Sequence, residues 1–257
     1  PDKKHALMVE INIALFKLYF DDSDEIYKAF KKLILKNIDS LERSDINLHF
    51  IRMIRFCIAR KNVKSTGIDF QKELFSLYQF ILEKGYYKNL NDNYLPVELF
   101  RMVVMLGLEM KKFDWVFNFI KKYYTKLHPD RKSNMYNYSM ASYNFYLKDF
   151  DQALRYFNKI QLNLFMMKVD YKNIMLMTYY ELRMYEPALS LIDSYKHFLS
   201  NSDILTDRLK KLMKSFILIV EKMIPYKTTF KPMIKYTIKK TLSDDIPYYD
   251  WIVEKVN

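Results

Sequence analysis

Apolar residues recur every three or four positions along nearly the whole chain, and strict alternation of apolar and polar residues over six or more positions is rare. This spacing is typical of amphipathic helices that bury one face. It predicts helices over 6–20, 24–34, 44–58 and 68–84. We expect Asp24 to cap the second of these helices, and Gly85 to end the fourth.

The same periodicity continues to the end of the chain. A helix is predicted to begin near Pro96 and to run to about Lys111. A further helix over 204–224 is predicted to end before Pro225, because proline has no backbone N–H to continue it. Pro232 and Pro247 then divide the remainder into shorter pieces, the last over 248–256. Segments 62–66 and 86–93 are predicted connections.

Three segments share one pattern of residue types: apolar, basic, any, aromatic, acidic, any, small, apolar. Their aromatic residues are Phe113, Phe150 and Tyr185, which are 37 and 35 residues apart. We interpret the aromatic residue as packing in a turn between two helices, and the acidic residue as beginning the second helix, where the helix dipole favours negative charge. The small residue lets the helices approach closely. The pattern therefore predicts a repeated helix-turn-helix unit, with Val116 the loosest match at the small position.

With these residues the chain resembles the tetratricopeptide repeat family, best over 134–199 and more loosely from about residue 97. Ala141 and Ala153 stand at the small positions of the central unit, and Phe150 and Phe157 at its aromatic positions. The resemblance implies a right-handed solenoid of helical hairpins whose concave face binds peptides or proteins, without catalysis.

The predicted fold is therefore all-α, an α-α superhelix that forms one domain over residues 1–257. We expect N-terminal helical hairpins over 1–93, tetratricopeptide-like repeats over 94–200, and basic capping helices over 201–257. The sequence begins with Pro1 rather than with an initiator methionine, so the presence of a further domain before it remains an open question.

Composition excludes several other classes. Three glycines in 257 residues are too few for a dinucleotide-binding phosphate loop or for the tight hairpins of a large sheet. No apolar run approaches the roughly 20 residues of a membrane span, so we expect no integral membrane segment. Cys57 alone cannot form an internal disulfide, which favours a cytoplasmic location, and its apolar surroundings predict a buried, inert thiol.

The chain carries little that indicates chemistry. Its four histidines share no metal-binding spacing, and its paired carboxylates fall at helix starts and turns, where they serve as caps. There is no phosphate-loop or nucleophile-elbow motif. We therefore expect no enzymatic activity, no metal and no cofactor.

Charge is concentrated near the C-terminus. Between Arg208 and Lys240 there are ten basic residues and one acidic residue, Glu221. This stretch could contact phosphates, an anionic membrane or an acidic partner, or could form a solvated, lysine-rich face. The candidate nucleic-acid or anion contacts are Lys211, Lys214, Lys222, Lys231, Lys235 and Lys239.

Tyrosine is the other excess, with 22 residues, and several lie in the first helix of the central repeat. On a concave face they would contact a peptide, and in the core they would pack between helices. The candidate partner-binding residues are Tyr136, Asn137, Met140, Tyr143 and Asn144. The sequence thus favours a protein-binding scaffold, with an unidentified protein as its partner, over the alternative of a nucleic-acid-binding helical repeat.

Overall fold

A computed structural model describes residues 3–21, 23–61, 67–88, 93–161, 165–229, 232–243 and 246–256. All regular secondary structure within these ranges is helical, which confirms the all-α prediction. The chain divides into two compact units, Pro1–Ser139 and Met140–Asn257, and each is described on its own. The superhelical arrangement of the hairpins remains a prediction.

In its described residues, the first unit contains six α-helices and the beginning of a seventh. They are α1 (Lys3–Phe20), α2 (Asp24–Lys36), α3 (Arg43–Arg60), α4 (Phe70–Lys84), α5 (Val97–Glu109), α6 (Phe113–Tyr123) and the first part of α7 (Pro129–Tyr146). From α1 to α6, each helix packs against the next one in sequence. Aromatic side chains fill the core, among them the fully buried Phe30, Phe50, Tyr78 and Phe100. This unit is therefore built from local contacts between successive helices.

The second unit follows the same principle. It contains the end of α7 and then α8 (Phe150–Phe157), α9 (Phe165–Glu181), α10 (Tyr185–Ser200), α11 (Asp207–Thr229), α12 (Pro232–Thr241) and α13 (Tyr249–Val256). From α8 to α13, each helix again packs against its successor. Its core includes Phe157, Tyr195, Phe216 and Ile252, all fully buried.

The three repeated segments adopt one turn conformation. In each, the basic residue has a positive φ: 56° at Lys111, 63° at Lys148 and 57° at Arg183. The N–H group of the following residue donates to the carbonyl group five positions earlier, at 2.9 Å in all three turns. These bonds satisfy carbonyl groups that the end of a helix leaves without partners. The sequence pattern therefore marks a repeated backbone turn.

The small position of the pattern is fully buried in all three segments, as Val116, Ala153 and Ala188. At the first turn the bulk of Val116 is accommodated by Gly107 on α5, where an added Cβ would lie 2.5 Å from Val116 Cγ2. The absence of a side chain at Gly107 thus leaves room for the larger side chain of Val116 on the neighbouring helix. This explains how Val116, the loosest match to the pattern, fits the same turn.

Two local predictions were wrong. The N-cap of α2 is Ser23, whose hydroxyl accepts a hydrogen bond from the N–H group of Ile26 at 3.4 Å. Asp24 instead begins the helix and lies 3.4 Å from the guanidinium group of Arg60. Pro225 lies inside α11, which continues to Thr229. Proline removes one backbone donor from the helix, and the exposed position of Pro225 tolerates that loss better than a buried position would.

Candidate functional site

All five candidate partner-binding residues lie on α7, which continues from the first unit into the second. In the first unit, Tyr136 and Asn137 are half-buried, and the ring of Tyr136 lies 5.0 Å from that of Tyr124. Tyr138, on another side of the helix, is fully buried. Its hydroxyl lies 3.6 Å from the sulfur of Met105. This end of α7 therefore contains both core and partly exposed tyrosines.

In the second unit the candidates differ in exposure. Met140 is only 6% exposed, whereas Tyr143 and Asn144 are half-buried. The Asn144 side-chain amide donates to the Met140 carbonyl at 2.6 Å, which holds it along the helix. Tyr143 and Asn144 are therefore the members of this half that offer side-chain surface.

The basic stretch maps onto α11 and α12. Lys211 and Lys214 are exposed, while Lys222 and Lys235 are half-buried. Lys231 lies outside the described residues, as does the side chain of Lys239. The structure therefore describes four of the six candidate lysine side chains.

Glu221, the one acidic residue in the sequence of this stretch, forms an ion pair. Glu221 Oε1 accepts from Lys196 Nζ of α10 at 2.7 Å, and so its charge is matched by a lysine outside the stretch. Apolar surface accompanies the lysines: Leu218 is 48% exposed and Tyr236 is 65% exposed. On α11 the order Lys211, Lys214, Leu218 and Lys222 follows one helix face, since the spacings are three, four and four residues.

The C-terminal helix is anchored in a way that the sequence pattern did not indicate. The Trp251 indole N–H donates to Glu181 Oε1 at 2.7 Å, and Lys255 Nζ lies 2.8 Å from the same oxygen. The Trp251 ring also meets the ring of Tyr180 edge-on, and Lys148 pairs with Glu254 at 2.9 Å. Helix α13 therefore contacts two of the three repeated turn regions, those that contain Lys148 and Arg183.

A surface depression of about 250 Å³ lies between α4 and α6 in the first unit. Trp115, Phe119 and Tyr123 stack along α6 at centroid separations of 5.3 and 4.9 Å. They line the depression together with Glu83 and Lys122. Burial, with a smaller contribution from the Glu83 charge, raises the pKa of the Tyr123 hydroxyl. The spacing of four residues on α6 was the only sequence signal for this aromatic row.

Cys57 is fully buried, as the sequence predicted. Its Sγ atom lies 3.4 Å from the Tyr27 hydroxyl, which donates to Glu73 Oε1 at 2.7 Å. Lys31 Nζ reaches the same oxygen at 2.6 Å. Burial raises the pKa of the Cys57 thiol to about 12, so the thiol is protonated and a poor nucleophile at neutral pH.

The four histidines differ in exposure. His49 is 2% exposed on α3, whereas His5, His128 and His197 are exposed. Burial, and then the nearby Arg52, lowers the pKa of His49. Within the described ranges, no group of three or more His, Cys, Asp or Glu side chains is placed to hold a metal ion.

Among the described residues, none of the helices has the length and apolarity required to cross a bilayer. Comparison with known proteins gave no match to a family model, a curated protein or a solved structure. The resemblance to tetratricopeptide repeats therefore rests on the sequence pattern.

Proposed function

We propose that this chain is a non-catalytic scaffold that binds a peptide or helix of a protein partner along α7. The observation that carries the proposal is the repeated turn at Lys111, Lys148 and Arg183, which joins successive helices into hairpins. Stacked helical hairpins present extended surfaces, and proteins built from them use such surfaces to bind other chains.

Side chains on α7 support this placement. Tyr143 and Asn144 combine a large, rigid aromatic surface with amide hydrogen-bonding groups, and both are partly exposed. The buried Met140 would support these residues from beneath rather than meet a partner directly. Hydrogen bonds from lysine or backbone groups lower the pKa values of the Glu42, Asp69 and Glu254 carboxyl groups. A general acid needs the opposite shift at neutral pH, so these three side chains do not resemble one.

The proposal is tested with a displayed library of random peptides selected on the full chain. We expect selected peptides to lose binding to the Tyr143→Ala/Asn144→Ala variant, while its helical circular dichroism is unchanged. Loss of a central tyrosine contact commonly weakens binding by about 2 kcal/mol, or roughly thirtyfold.

A matched control makes the same two changes on a neighbouring helix. Tyr156→Ala/Asn158→Ala alters one partly exposed tyrosine and one exposed asparagine on or beside α8. We expect this variant to bind the selected peptides as the wild type does. Equal loss in both variants, or no loss in the α7 variant, would contradict the proposed site.

A second candidate function is nucleic-acid binding by the basic stretch. It is favoured by one observation: Lys211 and Lys214 are exposed on α11, and Glu221, the one acid between 208 and 240, pairs with Lys196. Exposed aromatic surface at Tyr236 adds a group on which a base could stack.

Fluorescence anisotropy with labelled single-stranded RNA and duplex DNA tests this candidate over a series of salt concentrations. We expect affinity to fall steeply with salt, and the slope to fall by about 1.5 in Lys211→Glu/Lys214→Glu, because each lost phosphate contact removes roughly 0.7–0.9. Lys28→Glu/Lys32→Glu, which changes two exposed lysines of α2, is the matched control. Binding that is absent, or insensitive to salt, would rule the candidate out.

A further inference from the structure

Helix α1 exposes a continuous apolar stripe. Val9 is 46% exposed, Ile13 53%, Phe16 63% and Phe20 77%. These residues follow spacings of four, three and four, so they lie along one face of the helix. The rings of Phe16 and Phe20 are 4.3 Å apart, which makes the stripe a coherent surface rather than scattered side chains.

The stripe is additional to the face that α1 already buries. Ile11, Leu15 and Leu18 are buried, and α1 packs against α2. A helix that is apolar on two faces normally has neighbours on both. Contiguous exposed apolar surface of this kind marks an interaction site.

The spacing of the stripe is that of a coiled-coil seam. Ile13 and Phe20 take one of the two core positions of a heptad, and Val9 and Phe16 take the other. Glu10 and Lys17 then occupy equivalent flanking positions beside the seam, and both are exposed. A partner helix that packs along this seam must therefore match these charges as well as the apolar residues.

We propose that the stripe binds the same stripe of a second copy of this chain, with the two α1 helices antiparallel. In this orientation, Glu10 of each copy faces Lys17 of the other, so both flanking contacts join opposite charges. The arrangement is isologous and closes as a twofold dimer.

The sizes of the core residues favour the same orientation. The antiparallel register places the small Val9 opposite the large Phe20, and Ile13 opposite Phe16, so that successive layers have similar volumes. A parallel pair would instead place Val9 opposite Val9 and Phe20 opposite Phe20. It would also leave Glu10 and Lys17 opposite His5 and Asn12 rather than opposite each other.

Sedimentation velocity on the intact chain over a range of concentrations tests the proposal. We expect a monomer–dimer equilibrium that Phe16→Glu shifts to monomer. Glu10→Lys alone and Lys17→Glu alone each turn two attractive contacts into repulsive ones, and should raise the dimer dissociation constant about tenfold. The double variant Glu10→Lys/Lys17→Glu restores the opposite charges and should recover the wild-type value.

The control is Glu25→Lys, which makes the same charge change at an exposed position of α2 and should leave dimerisation unchanged. Circular dichroism verifies that each variant is folded. A wild-type chain that is monomeric at every concentration would overturn the proposal. So would a double variant that fails to recover dimerisation, or a monomer that uses this stripe to bind anionic lipid vesicles.

Discussion

The basic residues of the repeated pattern occupy a backbone conformation that few side chains favour. Lys111, Lys148 and Arg183 all have positive φ, and Gly85 has the same conformation at the end of α4. In this region a Cβ atom crowds the backbone, and glycine avoids the penalty. The sequence pattern identified these positions as basic but gave no sign of their backbone conformation, because the usual glycine signal is missing at three of the four turns.

Replacing Lys111 with glycine should therefore stabilise the protein. We expect Lys111→Gly to raise the free energy of unfolding by about 0.5–1 kcal/mol, since relief of strain exceeds the added entropy of the unfolded chain. Chemical denaturation measures the effect. Lys121→Gly, within α6, is the matched control and should lower stability by about 1 kcal/mol. A destabilised Lys111→Gly protein would be evidence against the left-handed turn.

The buried histidine makes stability depend on pH. Arg52 Nη1 lies 3.3 Å from His49 Nδ1, and His49 Nε2 has no hydrogen-bond partner among the described residues. Because burial and Arg52 lower the pKa of His49, the unfolded chain takes up the proton first, near pH 6.5. Above this pH, neutral His49 contributes fully to the free energy of unfolding. This contribution is lost as the pH falls through the lowered pKa of His49.

The expected result is a decline in unfolding free energy as the pH falls below about 6.5, and His49→Leu should reduce this decline. Denaturation at several pH values provides the measurement. His197→Leu removes an exposed histidine and should keep the wild-type slope. Parallel slopes for the wild type and His49→Leu would show that His49 does not carry this pH dependence.

At the scale of elements, helix existence was predictable because the apolar periodicity is long and regular. The ends of the helices were less predictable. Ser23 caps α2 in place of the expected Asp24, and α11 continues through Pro225. The packing between α5 and α6 could not be predicted from either helix alone. It depends on Gly107 and Val116 together, which are nine residues apart in sequence.

This reciprocal packing predicts a coupled pair of substitutions. Gly107→Ala should destabilise the protein by about 1–3 kcal/mol, because the new methyl group would overlap Val116. Val116→Ala opens space for that methyl group, so the double variant should lose less stability than the two single variants combined. Denaturant unfolding of all four proteins completes the cycle. Simple additivity would show that the two positions are not in contact.

Helix α13 depends on its tertiary contacts, because eight residues are too few for a stable isolated helix. Trp251→Ala removes the ring that meets Tyr180 and the donor to Glu181. We expect limited proteolysis to cleave α13 faster in this variant, with fragments identified by mass spectrometry. Asp250→Ala alters an exposed neighbour and should match the wild type. Unchanged cleavage of the Trp251 variant would mean that the indole does not hold the helix.

At the scale of the whole molecule, fold class was predictable from periodicity and from the scarcity of glycine. The candidate site was predictable only as a set of residue types on one helix, because sequence does not fix which side of α7 is buried. Met140 illustrates this limit. A methionine is a suitable residue for a binding face, yet Met140 is only 6% exposed and lies beneath partly exposed neighbours. Likewise, the exposed stripe on α1 and the contacts that hold α13 could be recognised only once the structure showed what each helix face packs against.

We propose that α7 forms the partner-binding surface. Hydrogen–deuterium exchange of the full chain, with and without a library-selected peptide, tests this placement. We predict that the peptide slows exchange in the segment around Tyr143 and Asn144, and that Tyr143→Ala/Asn144→Ala removes this protection. Protection confined to other segments, such as 208–240, would contradict the claim.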